Sequence, residues 1–252
     1  MDLLPSALRG ALGFLTRLPI SQETDDWEAF LSSPWTFPLV GYLVGWLVAI
    51  PVLLTDYLPA ATVALAYPLA VYAVTGIHHL DGVADLGDAL VVHGDLEKRR
   101  AVLSDTTTGV GAILAVSVVV AGLAFGALAL ADLRAIDAVG IVLVAEIATK
   151  LGLAAMATLG STEHEGMGKS LTDAVSPLGF VVPLLIAVAV IGLTWPTQTA
   201  AVTAVGALLG TAFAWALAGR YLGGISGDIF GAANEIGRVA GVHAGVIAWM
   251  LL

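Results

Sequence analysis

Three aspartates stand at helical spacing within residues 76–88, directly after an apolar stretch of the chain. A helix would place Asp81, Asp85 and Asp88 on one face, with neighbouring Cβ atoms about 5–6 Å apart. Carboxylates at that distance repel one another and raise each other's pKa, and a divalent cation would offset the repulsion. Because all the donors are oxygen atoms, the spacing predicts Mg²⁺ or Mn²⁺ rather than zinc, with substrate phosphate oxygens completing the shell.

A solvated acidic loop is the structural alternative for this segment, because the whole chain has a net charge of −10. The regular spacing argues against it, since a loop in water has no reason to align its charges. Gly82 and Gly87 add little bulk beside the acids, which favours a ligand that approaches closely. His78 lies on the same stripe and His79 follows it, but a histidine at a membrane interface can equally be an amphipathic side chain.

Two connections carry further polar groups. Asp105 opens a run of hydroxyl residues and glycines, where backbone N–H groups at a helix start would bind an anion. The structural alternative for this run is an N-cap. In residues 163–169, Glu163 and Glu165 would hold a second cation and Lys169 would contact phosphate, or the loop is solvated. Each connection therefore has one functional and one structural interpretation.

Two pairs of charged residues fall in apolar or glycine-rich surroundings. Asp228 and Glu235 are seven residues apart, so a helix would place them on one face. Acids near the membrane interior are candidates for function, and the structural alternative is that Asp228 caps a helix. Glu146 and Lys150 lie within an apolar window at a spacing of four, so they can pair with each other.

The composition requires a membrane protein. Of the 252 residues, 58% are hydrophobic and 12% are charged, and the mean hydropathy is +0.94. We therefore predict an all-α fold, a polytopic integral membrane helical bundle of about 6–7 transmembrane helices, in a single domain over residues 1–252. Gly-xxx-Gly spacings recur, but chance accounts for them in a chain with 29 glycines. The apolar windows are residues 35–54, 60–77, 110–130, 136–159, 177–193 and 199–218, with a shorter one at 239–252.

Positive charge is confined almost entirely to the longer connections between these windows. If every window crosses the bilayer, only Arg134 falls on one side, Lys150 lies within a span, and all the other cations fall on the opposite side. This asymmetry predicts that the long connections face the cytoplasm, in the cytoplasmic membrane. The cations on that side are Arg9, Arg17, Lys98, Arg99, Arg100, Lys169, Arg220 and Arg238.

The sequence also limits the chemistry and the partners. Without cysteine, the chain has no disulfide, no thiolate metal site and no cysteine nucleophile. A net charge of −10 disfavours binding to a phosphate backbone, so no nucleic-acid partner is expected. The expected partners are small molecules and the lipid bilayer, and a homo-oligomer is compatible with the sequence.

Taken in order along the chain, the motifs resemble those of the cobalamin synthase family, the adenosylcobinamide-GDP ribazoletransferases. His-Leu-Asp-Gly-Val-Ala-Asp at 79–85 and Gly-Ile-Ser-Gly-Asp-Ile-Phe-Gly-Ala at 224–232 are specific in combination. The chain departs from the family at Thr106 and Thr107, where Ser-Arg is usual, and at Lys150, where the usual arginine would offer a bidentate fork. The other matching positions are residues 14–19, Asp88, Asp105, Gly109, residues 165–168 and Glu235.

The resemblance implies transfer of the cobinamide phosphate moiety of adenosylcobinamide-GDP to α-ribazole or its 5′-phosphate, with release of GMP. It implies Mg²⁺ as the cofactor, with Asp81, Asp85 and Asp88 as the metal-binding and catalytic core and Asp88 as the candidate acceptor of the hydroxyl proton. The secondary assignments are Asp105, Asp228 and Glu235 as further ligands or substrate contacts, and Arg17, Lys150 and Lys169 as phosphate contacts.

Two other functions stay open at this point. CDP-alcohol phosphotransferases also gather aspartates around a divalent cation on membrane helices, but their Asp-Gly-x-x-Ala-Arg core is not present here. A cation-coupled transporter would use sites near the midplane between broken helices, whereas the acids here cluster in the long connections.

Overall fold

The protein is all-α, as the hydropathy pattern predicts. The structure is a computed structural model that describes residues 4–103, 105, 107–162, 165–193 and 198–252. Within these residues it contains thirteen α-helices, one short 3₁₀ helix and no strand. The α-helices are α1 Ser6–Leu15, α2 Thr24–Leu31, α3 Thr36–Val48, α4 Ile50–Leu53, α5 Ala60–Thr75, α6 His78–Val91, α7 Leu96–Leu103, α8 Val110–Leu130, α9 Ala135–Leu159, α10 Met167–Asp173, α11 Val181–Leu193, α12 Thr199–Tyr221 and α13 Gly227–Leu251, and the 3₁₀ helix is Pro177–Phe180.

The bundle is built around α9. In its apolar stretch 83% of the residues are buried, against 28% in α8. Helices α3, α12 and α13 pack against α9, while α8 packs against α5, α6 and α13. A helix that is apolar on every side is either enclosed by other helices or faces lipid. The burial assigns α9 to the first case and much of α8 to the second.

Fewer helices than predicted are suited to cross a membrane. Among the described residues, α8, α9 and α12 are long and apolar enough, and two sharply bent pairs raise the number to five. The window at 35–54 breaks into α3 and α4, and Pro51 lies within the second of these. The window at 239–252 is the second half of α13, whose first half carries Asp228, Glu235 and Arg238. The protein is therefore a multi-pass helical membrane protein in which the window at 35–54 is interrupted, while the window at 239–252 belongs to a longer helix with a polar first half.

Glycines at the Gly-xxx-Gly spacings lie at helix contacts, although chance alone could account for these spacings in the sequence. A Cβ at Gly41 would come within 2.9 Å of the Ile147 Cα on α9. A Cβ at Gly206 would come within 2.4 Å of the Ala244 Cβ on α13. Small residues let helix backbones approach closely where no hydrophobic effect drives association within lipid.

Four charged side chains are completely buried between α9 and α13. Arg238 donates hydrogen bonds to Glu146 and to Glu235, and Lys150 donates to Glu146. All four side chains have no exposed surface. The pairing of Glu146 with Lys150 that their spacing permits is confirmed. The two positive and two negative charges compensate one another inside the bundle.

We predict that Glu146→Ala lowers the free energy of unfolding by about 3–5 kcal/mol, because it leaves Arg238 and Lys150 buried without their shared carboxylate. Reversible unfolding in detergent micelles, followed by circular dichroism, measures this loss. The matched control is Asp137→Ala, which breaks the Arg134–Asp137 pair, where the Arg134 side chain is 77% exposed; it should cost about 1 kcal/mol or less. Equal losses in the two variants would contradict the prediction.

Candidate functional site: an acidic cavity beside a second chamber

A glycine turn directs the aspartate-bearing helix across the end of the bundle. Helix α5 ends at Gly76, which has a φ of 74°, and α6 then starts at an angle of 101° to α5. A Cβ at Gly76 would come within 2.3 Å of the Arg17 Cδ. Positive φ and the lack of space both call for glycine here.

Helix α6 touches its neighbours through backbone contacts beside the aspartates. A Cβ at Gly82 would lie 2.3 Å from the Asp228 carbonyl oxygen on α13, and one at Gly87 would lie 2.6 Å from the Gly111 carbonyl oxygen on α8. The expectation that these glycines leave room for a ligand is therefore corrected, because neighbouring backbone fills that room. The same contacts bring carboxylates of separate elements together.

The three aspartates line one cavity of about 420 Å³. Burial, followed by the charges of Asp228, Asp81 and Asp88, raises the pKa of Asp85 to about 6. Burial is also the main cause that raises the pKa of Asp228. The shared face predicted from the spacing is thus present, and Asp228 joins it from α13. The acidic lining consists of Asp81, Asp85, Asp88, Asp105 and Asp228.

Asp88 has a structural contact that its spacing did not indicate. Its two carboxylate oxygens accept hydrogen bonds from the backbone N–H groups of Gly109, at 2.6 Å, and Ala112, at 2.9 Å. These donors lie at the start of α8, where backbone N–H groups lack partners within the helix. Asp88 therefore holds α8 against α6. Each of its carboxylate oxygens can still accept a second bond, from a ligand in the cavity that Asp88 lines.

The two aspartates for which the sequence offered a helix-capping role, Asp105 and Asp228, do not cap a helix. Asp105 accepts hydrogen bonds from the Thr107 hydroxyl, at 2.8 Å, and from the Thr107 backbone N–H, at 3.1 Å, so it stabilises the connection before α8. Ser226, rather than Asp228, is the N-cap residue of α13, where it accepts from the Ile229 backbone N–H. The Asp228 side chain is left to face the cavity.

The cavity offers the donor chemistry of a magnesium site without a preformed coordination shell. Within the part of the chain that the structure describes, no three His, Cys, Asp or Glu side chains are arranged to hold a metal ion. Carboxylate oxygen is nevertheless the donor that Mg²⁺ prefers. The Asp81 and Asp85 carboxylates are engaged by no other described side chain. Burial, followed by the charges of the neighbouring aspartates, raises the pKa of Asp85, and a bound cation would favour the charged form of this carboxylate.

A second cavity adjoins the first and is called here the chamber. It has a volume of about 550 Å³ and shares Asp81 and Asp228 with the acidic cavity. The α10–α13 side supplies Met167, Ile225 and Ser226, and the α1 side supplies Phe14. The remaining lining residues are Gly13, His78, His79, Glu165, Gly166, Gly168, Gly227 and Gly231.

Of the three predicted phosphate contacts, Arg17 and Lys169 reach the surface, whereas Lys150 is completely buried. Arg17 is exposed beside Gly76, and no described residue pairs with its guanidinium group. Lys169 forms an ion pair with Asp173 at 3.0 Å. Lys150 is buried in the charge network, away from both cavities.

The three glutamates predicted at the site have different outcomes. Glu235 is also in the buried network, so the structure brings neither it nor Lys150 to the site. Of the predicted second cation pair, Glu165 lines the chamber, while Glu163 lies outside the described residues.

One contact at the chamber was missed from the sequence. The Asn234 Nδ2 lies 2.9 Å from the His79 Nδ1, although 155 positions separate them along the chain. A Cβ at Gly231 would lie 2.9 Å from the His79 Cα, so the two helices are in close contact here. Asn234 directly precedes Glu235, but nothing in that local pattern points to His79.

These features define an all-α multi-pass membrane protein with an acidic cavity and an adjoining chamber at one end of the bundle. The sequence model of the family described as cobalamin-5-phosphate synthase matches residues 7–246. The chain therefore belongs to this family, which confirms the resemblance seen in its motifs.

Individual relatives agree with the family. A protein of Halorubrum lacusprofundi named adenosylcobinamide-GDP ribazoletransferase is 49% identical, over 97% of this chain and 98% of its own length. A protein of the same name from Haloquadratum walsbyi is 41% identical, over 98% and 99% of the two lengths. Another from Halobacterium salinarum is 50% identical over 79% of this chain and its own full length. No solved structure matches the chain.

We predict that Gly82→Ala destabilises the protein by about 1–3 kcal/mol, because the added methyl group must push α6 away from the Asp228 backbone. The midpoint of thermal unfolding in detergent measures the effect. Gly140→Ala is the control, since a Cβ there would meet nothing within 4 Å. Unchanged stability of Gly82→Ala relative to this control would show that α6 and α13 are not in close contact.

Proposed function

We propose that this chain is an adenosylcobinamide-GDP ribazoletransferase acting late in the assembly of the cobalamin nucleotide loop. A ribose hydroxyl of α-ribazole, or of its 5′-phosphate, attacks the phosphorus bonded to cobinamide. A new P–O bond forms, the bond to the bridging oxygen of the diphosphate breaks, and GMP leaves with that oxygen. The observation that carries the proposal is the gathering of five aspartates in one cavity, in a chain with relatives of that name over nearly its full length.

The proposed cofactor is Mg²⁺, held by Asp81 and Asp85 with Asp88 and Asp228 nearby. When bound, it would supply positive charge that neutralises the diphosphate of the activated corrinoid. The carboxylates would fix the position of the cation from two sides, since Asp81 and Asp85 extend from one helix and Asp228 extends from another. The two oxygens of Asp88 accept hydrogen bonds from the start of α8. Asp88 therefore holds the aspartate-bearing face of α6 against that helix.

Positioning of the two substrates is the other task of the chain. Phosphoryl-type transfers depend on alignment and charge compensation more than on covalent chemistry. Asp81 and Asp228 lie at the boundary of the two cavities, where an attacking hydroxyl and a phosphate can meet. A carboxylate there can accept the hydroxyl proton. Arg17, exposed near this end, is the proposed contact for outer phosphate oxygens.

The proposed orientation places the two cavities on the cytoplasmic side of the cytoplasmic membrane. Arg99 donates to the Ala89 and Leu90 carbonyls at the end of α6, and Arg100 donates to the Leu222 carbonyl just before α13. These cations therefore lie at the same end as the aspartates. Arg134 instead lines a separate cavity with Trp46 and Trp249. Such asymmetry is the basis of the positive-inside rule.

The alternative functions are less well supported. The family comparison favours the ribazoletransferase over a CDP-alcohol phosphotransferase. For a transporter, Glu146 and Lys150 would be the midplane candidates, but both are paired within the buried network. Cation-coupled transport needs ionisable groups that face a path for the ion.

We predict that Asp81→Asn and Asp85→Asn each reduce the turnover of adenosylcobinamide-GDP with α-ribazole by at least about 100-fold, because a neutral amide cannot compensate the cation. Release of GMP by protein reconstituted in phospholipid vesicles measures turnover. Asp56→Asn, an exposed acid in the connection before α5, is the control and should retain full turnover. Near-normal turnover in both cavity variants would refute the assignment of these residues.

We further predict that removal of divalent cations with a chelator abolishes GMP release and that added Mg²⁺ restores it. The physical reason is that the cavity holds several carboxylates that would otherwise repel a diphosphate. The assay is repeated with Mn²⁺, which also prefers oxygen donors and should restore activity, and with Na⁺ alone, which should not. Full activity in the presence of chelator would rule out the proposed cofactor.

A further inference from the structure

We propose that the chamber is the binding site for the base and ribose of the acceptor nucleoside, and that His79 selects the base through a hydrogen bond. This inference rests on the proposed function and divides the two substrates between the two cavities. The corrinoid donor places its diphosphate in the acidic cavity, and its ring stays outside the chamber.

Volume and charge separate the two cavities. The chamber encloses about 550 Å³, which suits a nucleoside, whereas an adenosylated corrinoid has several times as many atoms. Among the described lining residues there is no lysine or arginine, while Asp81, Glu165 and Asp228 contribute carboxylates. The acidic cavity has five carboxylates for a cation and its diphosphate, whereas the chamber has three and adds apolar side chains, so the base and ribose of the acceptor are the better fit for the chamber.

One aromatic ring, Phe14, lines the chamber and is packed against three other rings. The Phe14 ring lies 5.4 Å from the Phe30 ring, 5.9 Å from the Trp27 ring and 6.5 Å from the Phe230 ring, measured between centroids. Such pairs stabilise one orientation of the ring. Met167 adds a flexible apolar side chain to the lining. A planar heteroaromatic base can bury its apolar faces against this lining.

Open space inside the chamber lies beside two of its glycines. A Cβ at Gly166 would meet nothing within 4 Å, and the three atoms nearest to one at Gly227 would all belong to Met167, with its sulfur 3.2 Å away. At Gly168, by contrast, a Cβ would lie 2.1 Å from the Ile225 carbonyl oxygen, so that glycine serves packing between segments. Gly227 is therefore the position at which an added side chain enters the chamber with little disturbance of the backbone.

The hydrogen bonds around His79 assign its proton. Glu235 is held as a carboxylate by Arg238 and can only accept, so the amide nitrogen of Asn234, 3.4 Å from it, must be the group that faces it. The same nitrogen donates to the His79 Nδ1 at 2.9 Å. The imidazole proton is therefore on Nε2, because Nδ1 is an acceptor.

His79 is buried with 6% of its surface exposed, and it lines the chamber. Its Nε2–H is the donor that remains for a ligand. The benzimidazole base of α-ribazole has one ring nitrogen that is not bonded to ribose, and this atom is an acceptor. A pocket that provides one buried donor selects a base with a matching acceptor, since a base without it leaves the donor unpaired.

The position of the chamber also accounts for the attack. Asp81 and Asp228 line both cavities, so a ribose in the chamber can present a hydroxyl at their boundary. The hydroxyl oxygen bonds to the cobinamide phosphorus, its proton passes to a carboxylate at the boundary, and GMP departs with the bridging oxygen. The base and ribose are common to α-ribazole and its 5′-phosphate, so both acceptors use the same contacts.

The first test fills the chamber with Gly227→Leu and uses Gly140→Leu, whose Cβ position on α9 is open and remote from the chamber, as the matched control. We expect KM for α-ribazole and for its 5′-phosphate to rise together by at least roughly tenfold. KM for adenosylcobinamide-GDP should change by less than about twofold, and the control should match the wild type in all three values. A rise in the donor's KM alone, or no change in either substrate, would overturn the assignment.

The second test compares α-ribazole with the riboside of dimethylindole, which lacks the free ring nitrogen. The wild type and His79→Gln, which keeps an N–H donor, should prefer α-ribazole by roughly tenfold or more in kcat/KM. His79→Leu should lose that preference. A merely structural role of His79 would lower both values equally and keep the preference, which would contradict the inference. Absence of GMP release by the wild type with any acceptor would instead refute the proposed function itself.

Discussion

The backbone of α6 lies against the backbones of α13 and α8, and the arrangement of the site depends on that contact. Gly82 faces the Asp228 carbonyl and Gly87 faces the Gly111 carbonyl, at distances that leave no space for a side chain. Helices this close bring carboxylates from three separate parts of the chain into one cavity of about 420 Å³. Burial in this cavity, followed by the charges of the neighbouring aspartates, raises the pKa of Asp85. A cation is the ligand that such a cavity favours, because it removes the repulsion that the packing creates.

The buried charge network holds α13, which forms one side of the contact with α6, against α9. Arg238 on α13 bonds to Glu146 on α9, and removal of either partner would leave a charge inside the bundle. Glu235 continues the network to Asn234, which bonds to His79 at the start of α6. The interior of the bundle and the lining of the chamber are thus connected by hydrogen bonds. Lys150 and Glu235 make their ion pairs within this buried network.

The two cavities differ in chemistry although they share a wall. Five aspartates line one of them, whereas glycines, apolar side chains and two histidines make up most of the other. Reactions between a charged, activated phosphate and a neutral hydroxyl benefit from such separation, because each substrate meets surroundings suited to it and only the reacting atoms meet at the boundary. Asp81 and Asp228 mark that boundary.

The sequence by itself determined the helical class, most of the apolar segments and the acidic stripe of α6. The helix at 110–130 agrees with its window to the residue, and α9 and α12 agree to within a few residues. Hydropathy and helical periodicity are local properties, so a single segment is enough to show them. The family motifs extended this to the expected activity, and the family is confirmed.

Only the tertiary structure decided which polar residues share a cavity. Asp228 lines the same cavity as Asp81, and Asp88 accepts a hydrogen bond from the start of α8. His79 contacts Asn234. Lys150 and Glu235 instead belong to the buried charge network between α9 and α13. Most of these partners are far apart along the chain, and a charged residue looks the same in the sequence whether it faces a ligand or a buried counter-charge. The need for glycine at the turn after α5 has the same origin, because Arg17, from a different segment, fills the space beside Gly76. Contacts between distant segments decide these features, and local pattern does not encode them.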